Sequence, residues 1–129
     1  MPSDLRYTKD HEWARVDGSR VRVGITDHAQ SELTDVVYVE LPLPGRTVRR
    51  GDPLGVVESV KAVSEIFAPV GGTVVESNKT LEDHPELINK EPYGKGWLVV
   101  LEMSELAEFS QLMDVESYRK HIGAGSNGE

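Results

Sequence analysis

The chain has no cysteine among its 129 residues. That absence excludes disulfides, thiolate nucleophiles and cysteine-built zinc or iron–sulfur sites. Positive charge is scarce as well: 14 Lys and Arg stand against 22 Asp and Glu, a formal net charge of −8 with histidine neutral. Such a balance argues against partners rich in phosphate, whether nucleic acid or an anionic membrane surface. Aromatics make up 6% of the chain, and no window approaches the ~20 consecutive apolar residues that span a bilayer. Met1 to Arg6 has neither an apolar stretch nor an Arg/Ser-rich amphipathic pattern, so the expectation is an intracellular, cytoplasmic protein, or a mitochondrial-matrix one if a transit peptide has been removed. The length suits one domain, expected over residues 1–122, with 123–129 as a flexible Gly-rich tail.

Most of what is present reads as β structure. Glu12–Val16 and Arg20–Ile25 flank Asp17-Gly18-Ser19 as a hairpin with one wet face. Thr26–Leu33 breaks the alternation, and Asp27 with Gln30 has capping-box spacing, so a short helix is expected there. Val36–Leu41 is the strongest strand, stopped by Pro42 and Pro44. Further strands are expected at Gly55–Ser59, Ala62–Phe67, Thr73–Ser77 and Trp97–Glu102. Leu106, Phe109, Leu112 and Met113 have helical spacing after a Ser104 cap, and Val115–Ile122 follows Asp114 as a second helix. Gly45-x-Thr47-Val48 is echoed by Gly71-x-Thr73-Val74 at a separation of 26 residues, and Lys61 lies midway between Val48 and Val74. A two-fold-like sandwich built from such halves puts Lys61 at the turn that joins them.

Several kinds of chemistry lack their residues. His11, His28, His84 and His121 form no His-Glu-x-x-His pattern, which points to structural or surface roles rather than to metal. Ser31, Ser59 and Ser64 have no triad spacing and no nucleophile elbow. Trp13 and Trp97 read as core anchors, and Arg46, Arg49 and Arg50 as a solvated turn too small for nucleic acid. This leaves Lys61, set between two apolar-rich strands with Glu58 and Glu65 near it. On spacing alone the ordinary reading is a hairpin whose lysine keeps an edge soluble. A lysine that a modifying enzyme must engulf also needs a rigid, protruding turn, and a tight β-turn supplies one.

Longer strings favour the second reading. Val48-x-x-Gly51-Asp52-x-Leu54, Val57-Glu58-Ser59-Val60-Lys61-Ala62 and Ala68-Pro69-x-x-Gly72-x-Val74 resemble the lipoyl/biotinyl carrier fold. Tyr7-Thr8-Lys9-Asp10-His11-Glu12-Trp13, Gly24–Gln30, Val39–Pro42, Pro85–Asn89 and Pro92-Tyr93-Gly94-x-Gly96-Trp97 extend the match. From about Tyr7 to Tyr118 the chain resembles, in register, the H-protein family of the glycine cleavage system. Three positions depart from that pattern: Thr34 where Gly is expected, Val63 where a smaller Ala or Thr is usual, and Glu65 where Asp is common.

The resemblance implies a mainly β, lipoyl-carrier-type sandwich (a barrel-sandwich hybrid) with a short helix in its N-terminal half and helices at its C-terminus. It implies a monomeric carrier rather than an enzyme, with Lys61 as the attachment site of lipoic acid within the motif Glu58, Ser59, Val60 and Ala62. The partners implied are a pyridoxal-phosphate glycine decarboxylase, an aminomethyltransferase using tetrahydrofolate, the flavoprotein dihydrolipoyl dehydrogenase, and the enzymes that attach lipoate or octanoate. Because a loaded aminomethyl arm is cationic, Glu12 and Glu65 are the candidates for holding it, with Glu58 a third. Two other readings use the same lysine. A lipoyl relay or scaffold for other 2-oxoacid complexes has no distinguishing residue, whereas a biotin carrier usually sets its lysine between methionines, where Val60 and Ala62 stand here.

Overall fold

Alternation in Arg20–Ile25 sends Val21, Val23 and Ile25 inward and leaves Arg20 and Arg22 in water, which makes this strand a spine of the larger sheet. The computed structural model describes residues 2–123. Its strands are β1 (Arg6–Tyr7), β2 (Glu12–Asp17), β3 (Arg20–Ile25), β4 (Val36–Glu40), β5 (Thr47–Val48), β6 (Pro53–Ser59), β7 (Val63–Phe67), β8 (Gly72–Ser77) and β9 (Val99–Met103). The helices are α1 (Asp27–Leu33), α2 (Thr80–Asp83), α3 (Leu87–Lys90), α4 (Leu106–Ser110) and α5 (Val115–Gly123). The order β1-β2-β3-β9-β8-β5 forms one antiparallel sheet and β4-β6-β7 a second. Val21, Val23, Val74 and Leu101 of the first sheet share a core with Val39, Val57 and Ile66 of the second. This is the mainly β sandwich, with helices, that the carrier-type reading expects.

The repeated Gly-x-Thr-Val segments meet directly. Thr47 lies opposite Thr73, and Val48 opposite Gly72, as the pair β5–β8. Antiparallel contacts then continue through Ala68 N–H to the Asp52 carbonyl at 2.9 Å and through the β6–β7 pairing as far as Ser59 and Ala62. The two halves are thus the arms of one long bent hairpin, and Lys61 sits at its tip.

A second, smaller core of Leu5, Tyr7, Trp13, Val115 and Tyr118 docks α5 on the N-terminal hairpin. Tyr7 and Tyr118 stack with centroids 4.6 Å apart. The helix boundaries differ from the sequence expectations in three places. Thr26, not Asp27, caps α1: its Oγ1 accepts from Ala29 N at 3.2 Å, while Asp27 accepts from the Gln30 amide at 2.9 Å. The helix expected after a Ser104 cap has Glu105 at its N-cap position instead, and it stops at Ser110 because Met113 leaves it to exchange backbone hydrogen bonds with Tyr7. Residues 80–83 and 87–90 form one-turn helices, too short to leave a periodic signature. Gly123 ends α5, and the rest of the expected tail, 124–129, lies outside the described residues. Among the described residues no helix is long and apolar enough to cross a membrane.

Candidate functional site

Lys61 stands exposed in a turn whose shape is fixed from three sides. Ser59 N–H donates to the Ala62 carbonyl at 2.8 Å, which closes the hairpin. Ser59 Oγ accepts from the backbone nitrogens of Lys61 at 3.2 Å and Ala62 at 3.0 Å, so a short hydroxyl satisfies donors that a tight turn would otherwise leave to water. Val60 N–H donates to the Asp35 carbonyl at 3.0 Å and ties the tip to the start of β4. Val60 and Val63 are 71% and 69% exposed. With Tyr38, which lies across β6 from Val63 by way of Glu58, they give the lysine apolar shoulders.

A cleft of about 280 Å3 opens beside this turn, between the loop 8–11, α1 and β7. Ile25, Ala29, Leu33 and Ile66 give it an apolar lining, Ala62, Val63 and Ser64 form the side next to the lysine, and Asp10 and Glu32 bring carboxylates. Its wall includes His11, whose Nδ1 is 2.8 Å from Tyr118 Oη. The arrangement fits a lipoyl arm on Lys61: a projecting amine, an apolar trough within the same surface, and acids at its border.

The three acids singled out from sequence fall in different settings. Glu12 is buried, 2% exposed, and both its oxygens are occupied: Oε1 accepts from Thr8 Oγ1, and Oε2 from Phe67 N–H at 3.1 Å. Burial pushes its carboxyl above the usual 4.5, against the pull of those two hydrogen bonds. Glu12 lines a larger groove of about 470 Å3 beside Phe67, Ala68 and Pro69; Asp10 borders that groove and the cleft beside Lys61 alike. Glu65 is exposed on the outer face of β7, across from Val56 and Glu40, and borders a separate groove with Arg46. Glu58 lies half-buried on that same face between Tyr38 and Val63. Asp10 and Glu32 were not singled out from sequence. Among 22 acids nothing in their spacing marks them, because the loop and helix that carry them converge only in the fold.

Histidines scattered in the chain are partly gathered in space: the His11 ring lies 4.6 Å from His28 and 5.7 Å from His121, centroid to centroid. His84 stays apart, 3.3 Å from Glu86. Among the described residues no group of three or more His, Asp or Glu side chains is placed to hold a metal ion. Trp13 is fully buried, its indole N–H donating to the Pro92 carbonyl at 2.9 Å, whereas Trp97 is partly buried with Arg22 over its ring. In the basic spot, Arg46 donates to the Pro53 carbonyl at 2.9 Å and Arg50 pairs with Gln111.

The family model for the glycine cleavage H-protein matches residues 5–124. The chain belongs to the glycine cleavage H-protein family. It is 54% identical over 124 residues to the glycine cleavage system H protein of Geobacillus kaustophilus, covering 96% of this chain and 98% of that relative. Identity is 53% over 122 residues to that of an Anaeromyxobacter species, covering 95% of each. The fold superposes on a crystal structure of a glycine cleavage system H protein from Mycobacterium marinum with a TM-score of 0.87 at 40% identity, over 95% of this chain and 99% of that one. Membership of the H-protein family makes this chain a carrier subunit in glycine cleavage and not a catalyst. Against the family pattern, Thr34 adopts φ 65° and ψ −146°, a backbone state that suits glycine.

Proposed function

We propose that Lys61 bears lipoic acid in amide linkage and that this arm takes an aminomethyl group from a glycine decarboxylase to an aminomethyltransferase, then to dihydrolipoyl dehydrogenase for reoxidation. The observation that carries the reading is the exposed Lys61 at the tip of a turn locked by Ser59 and tied to Asp35, a rigid shape for an attaching enzyme to grip. Once attached, the dithiolane supplies a pair of sulfurs that accept the group and can be closed again by oxidation. Everything else belongs to the chain. Amide formation removes the charge of Lys61, so the arm can lie along the apolar lining of the neighbouring cleft. Asp10 and Glu32 border that lining and are the candidates for holding a cationic group there; Glu12, behind the same loop, and Glu65, on the next groove, are candidates where the arm reaches those grooves. With no cysteine in the chain, the arm meets no thiol of its own protein with which to form a mixed disulfide. Tethering also replaces free diffusion between active sites by a high effective concentration. An acidic surface suits brief, salt-sensitive encounters with each partner. The bacterial relatives support a cytoplasmic setting.

Intact-mass spectrometry of protein from the native host tests the assignment. A lipoyl or octanoyl increment that Lys61→Arg abolishes is expected; a biotinyl increment, or none, overturns it.

A further inference from the structure

His11, on the wall of the arm cleft, joins it to the C-terminal helix. Its Nδ1 is 2.8 Å from Tyr118 Oη on α5, and that hydroxyl is 2.7 Å from Oγ1 of Thr26, the cap of α1. Tyr118 is fully buried against Tyr7, so its hydroxyl is a fixed point of the second core. The His11 backbone is held too: its N–H donates to the Thr8 carbonyl at 3.2 Å, and its carbonyl accepts from Thr26 N–H at 3.0 Å. Between these anchors the residue adopts φ 73°, a left-handed state that costs a non-glycine residue free energy and persists only where its surroundings impose it. The neighbouring Asp10 lies at the border of the cleft.

The groups that face His11 are His28 and Glu32 from α1, Tyr118 and His121 from α5, and Asp10 from its own loop. His121 Nε2 donates to the Lys9 carbonyl at 2.9 Å, and His28 Nε2 is 3.7 Å from the Glu32 carboxylate. Burial holds the His11 imidazole below its ordinary 6.5; His28 and His121 push it the same way, and Glu32 and Asp10 oppose them.

We propose that His11 is a positioning residue for the carried group: anchored by Tyr118, its ring keeps the Asp10 wall open to a cationic arm, and protonation of that ring loosens the hold. The proposal rests on the reading that the arm lies in this cleft. Two effects act together on acidification. A protonated imidazole repels a cation in the cleft directly, and it draws Asp10 and Glu32 into pairing with itself. Coupling of this kind is reciprocal, so a cation held in the cleft must lower the pH at which His11 titrates by the same factor by which a proton on His11 weakens the cation.

The test uses protein lipoylated at Lys61 and loaded from 13C-labelled glycine, with histidine ring signals and the labelled methylene followed by NMR. Loading is expected to move the His11 titration down by about 0.5 pH unit, and the free fraction of the arm to rise about threefold as pH falls from about 7.5 to 5.5. His11→Asn, a residue that tolerates left-handed backbone, is expected to remove that rise. Tyr118→Phe keeps the stacked ring and loses only the hydroxyl; it is expected to free the arm at every pH. Should His11→Asn not fold, His121→Gln, which removes a group that holds His11 low, is expected to move the rise to higher pH. A His11 titration that loading leaves unmoved, or identical arm profiles with and without these histidines, overturns the proposal while the cleft reading stands. An arm that is free at every pH in the wild-type protein overturns both.

Discussion

Ser59 Oγ lies 3.0 Å from the backbone nitrogen of Ala62, spanning the lysine between them. The same oxygen accepts from Lys61 N at 3.2 Å, so one side chain sets the direction in which Lys61 leaves the hairpin. Ser59→Ala is expected to cost about 1 kcal/mol of stability, the worth of a local side-chain hydrogen bond. The larger effect is expected on attachment: in a reconstituted reaction with a lipoate-attaching enzyme, the initial rate on Ser59→Ala should fall several-fold and Ser59→Thr should recover most of it. Equal rates for all three proteins would show that the hydroxyl does not present the lysine.

Thr34 carries strain at the end of α1. Its φ of 65° with ψ of −146° lies in a region that is essentially reserved for glycine, yet its N–H still donates to the Gln30 carbonyl at 3.0 Å and its own carbonyl accepts from Asn89 at 2.7 Å. Those bonds survive a change of side chain. Thr34→Gly is therefore expected to release about 1–3 kcal/mol of strain, less up to about 1 kcal/mol for the freer unfolded chain. Calorimetry should show a rise of a few degrees in Tm, and an unchanged or lower Tm would mean that the side chain repays its strain elsewhere.

What was legible in the sequence follows from which interactions are local. Alternation over Arg20–Ile25 and the Thr26–Gln30 stretch announced the hairpin and α1, because their signals lie within a few residues. The echo of Thr47-Val48 in Thr73-Val74 put Lys61 at the turn joining two like halves, and in the fold those halves pair as one long hairpin. The end of α4 was not legible: Met113 is drawn out of the helix by Tyr7, more than a hundred residues earlier. The cleft was hidden for the same reason. Asp10, Glu32 and Ser64 come from three elements, and only packing brings them to one border. Likewise, nothing local joins His11 to His121, which meet because α5 folds back on the N-terminal hairpin.

Gly24 is fixed by Trp13 across the hairpin. A Cβ built on Gly24 would stand 2.5 Å from Cζ2 of the indole, and that ring cannot retreat, because its N–H is bound to the Pro92 carbonyl and the residue is fully buried. Gly24→Ala is expected to destabilise by about 1–3 kcal/mol through overpacking. Urea unfolding gives the loss, and a shift in Trp13 fluorescence in the folded state should accompany it. A variant of wild-type stability would mean that the hairpin can part from the ring without penalty.

His11 and Glu12 are neighbours whose burial tilts the pH dependence of stability in opposite senses. His11 is held below 6.5 in the folded protein, so as pH falls the unfolded chain takes its proton first. The His11 contribution is thus complete above about 6.5 and is lost as pH falls through the lower folded value. Glu12 is held above 4.5, so as pH rises the unfolded chain releases its proton first; its contribution is present below 4.5 and is lost as pH climbs through the folded value. Urea titrations between about pH 4 and 8 separate the two. His11→Asn should flatten the loss on the acid side of neutrality and leave the profile near 4.5 alone. Glu12→Gln should remove the decline above 4.5 and keep the histidine step. If the His11→Asn profile runs parallel to that of the wild-type protein, the imidazole is not neutralised by its surroundings, and the cluster carries no pH dependence to pass on to the cleft.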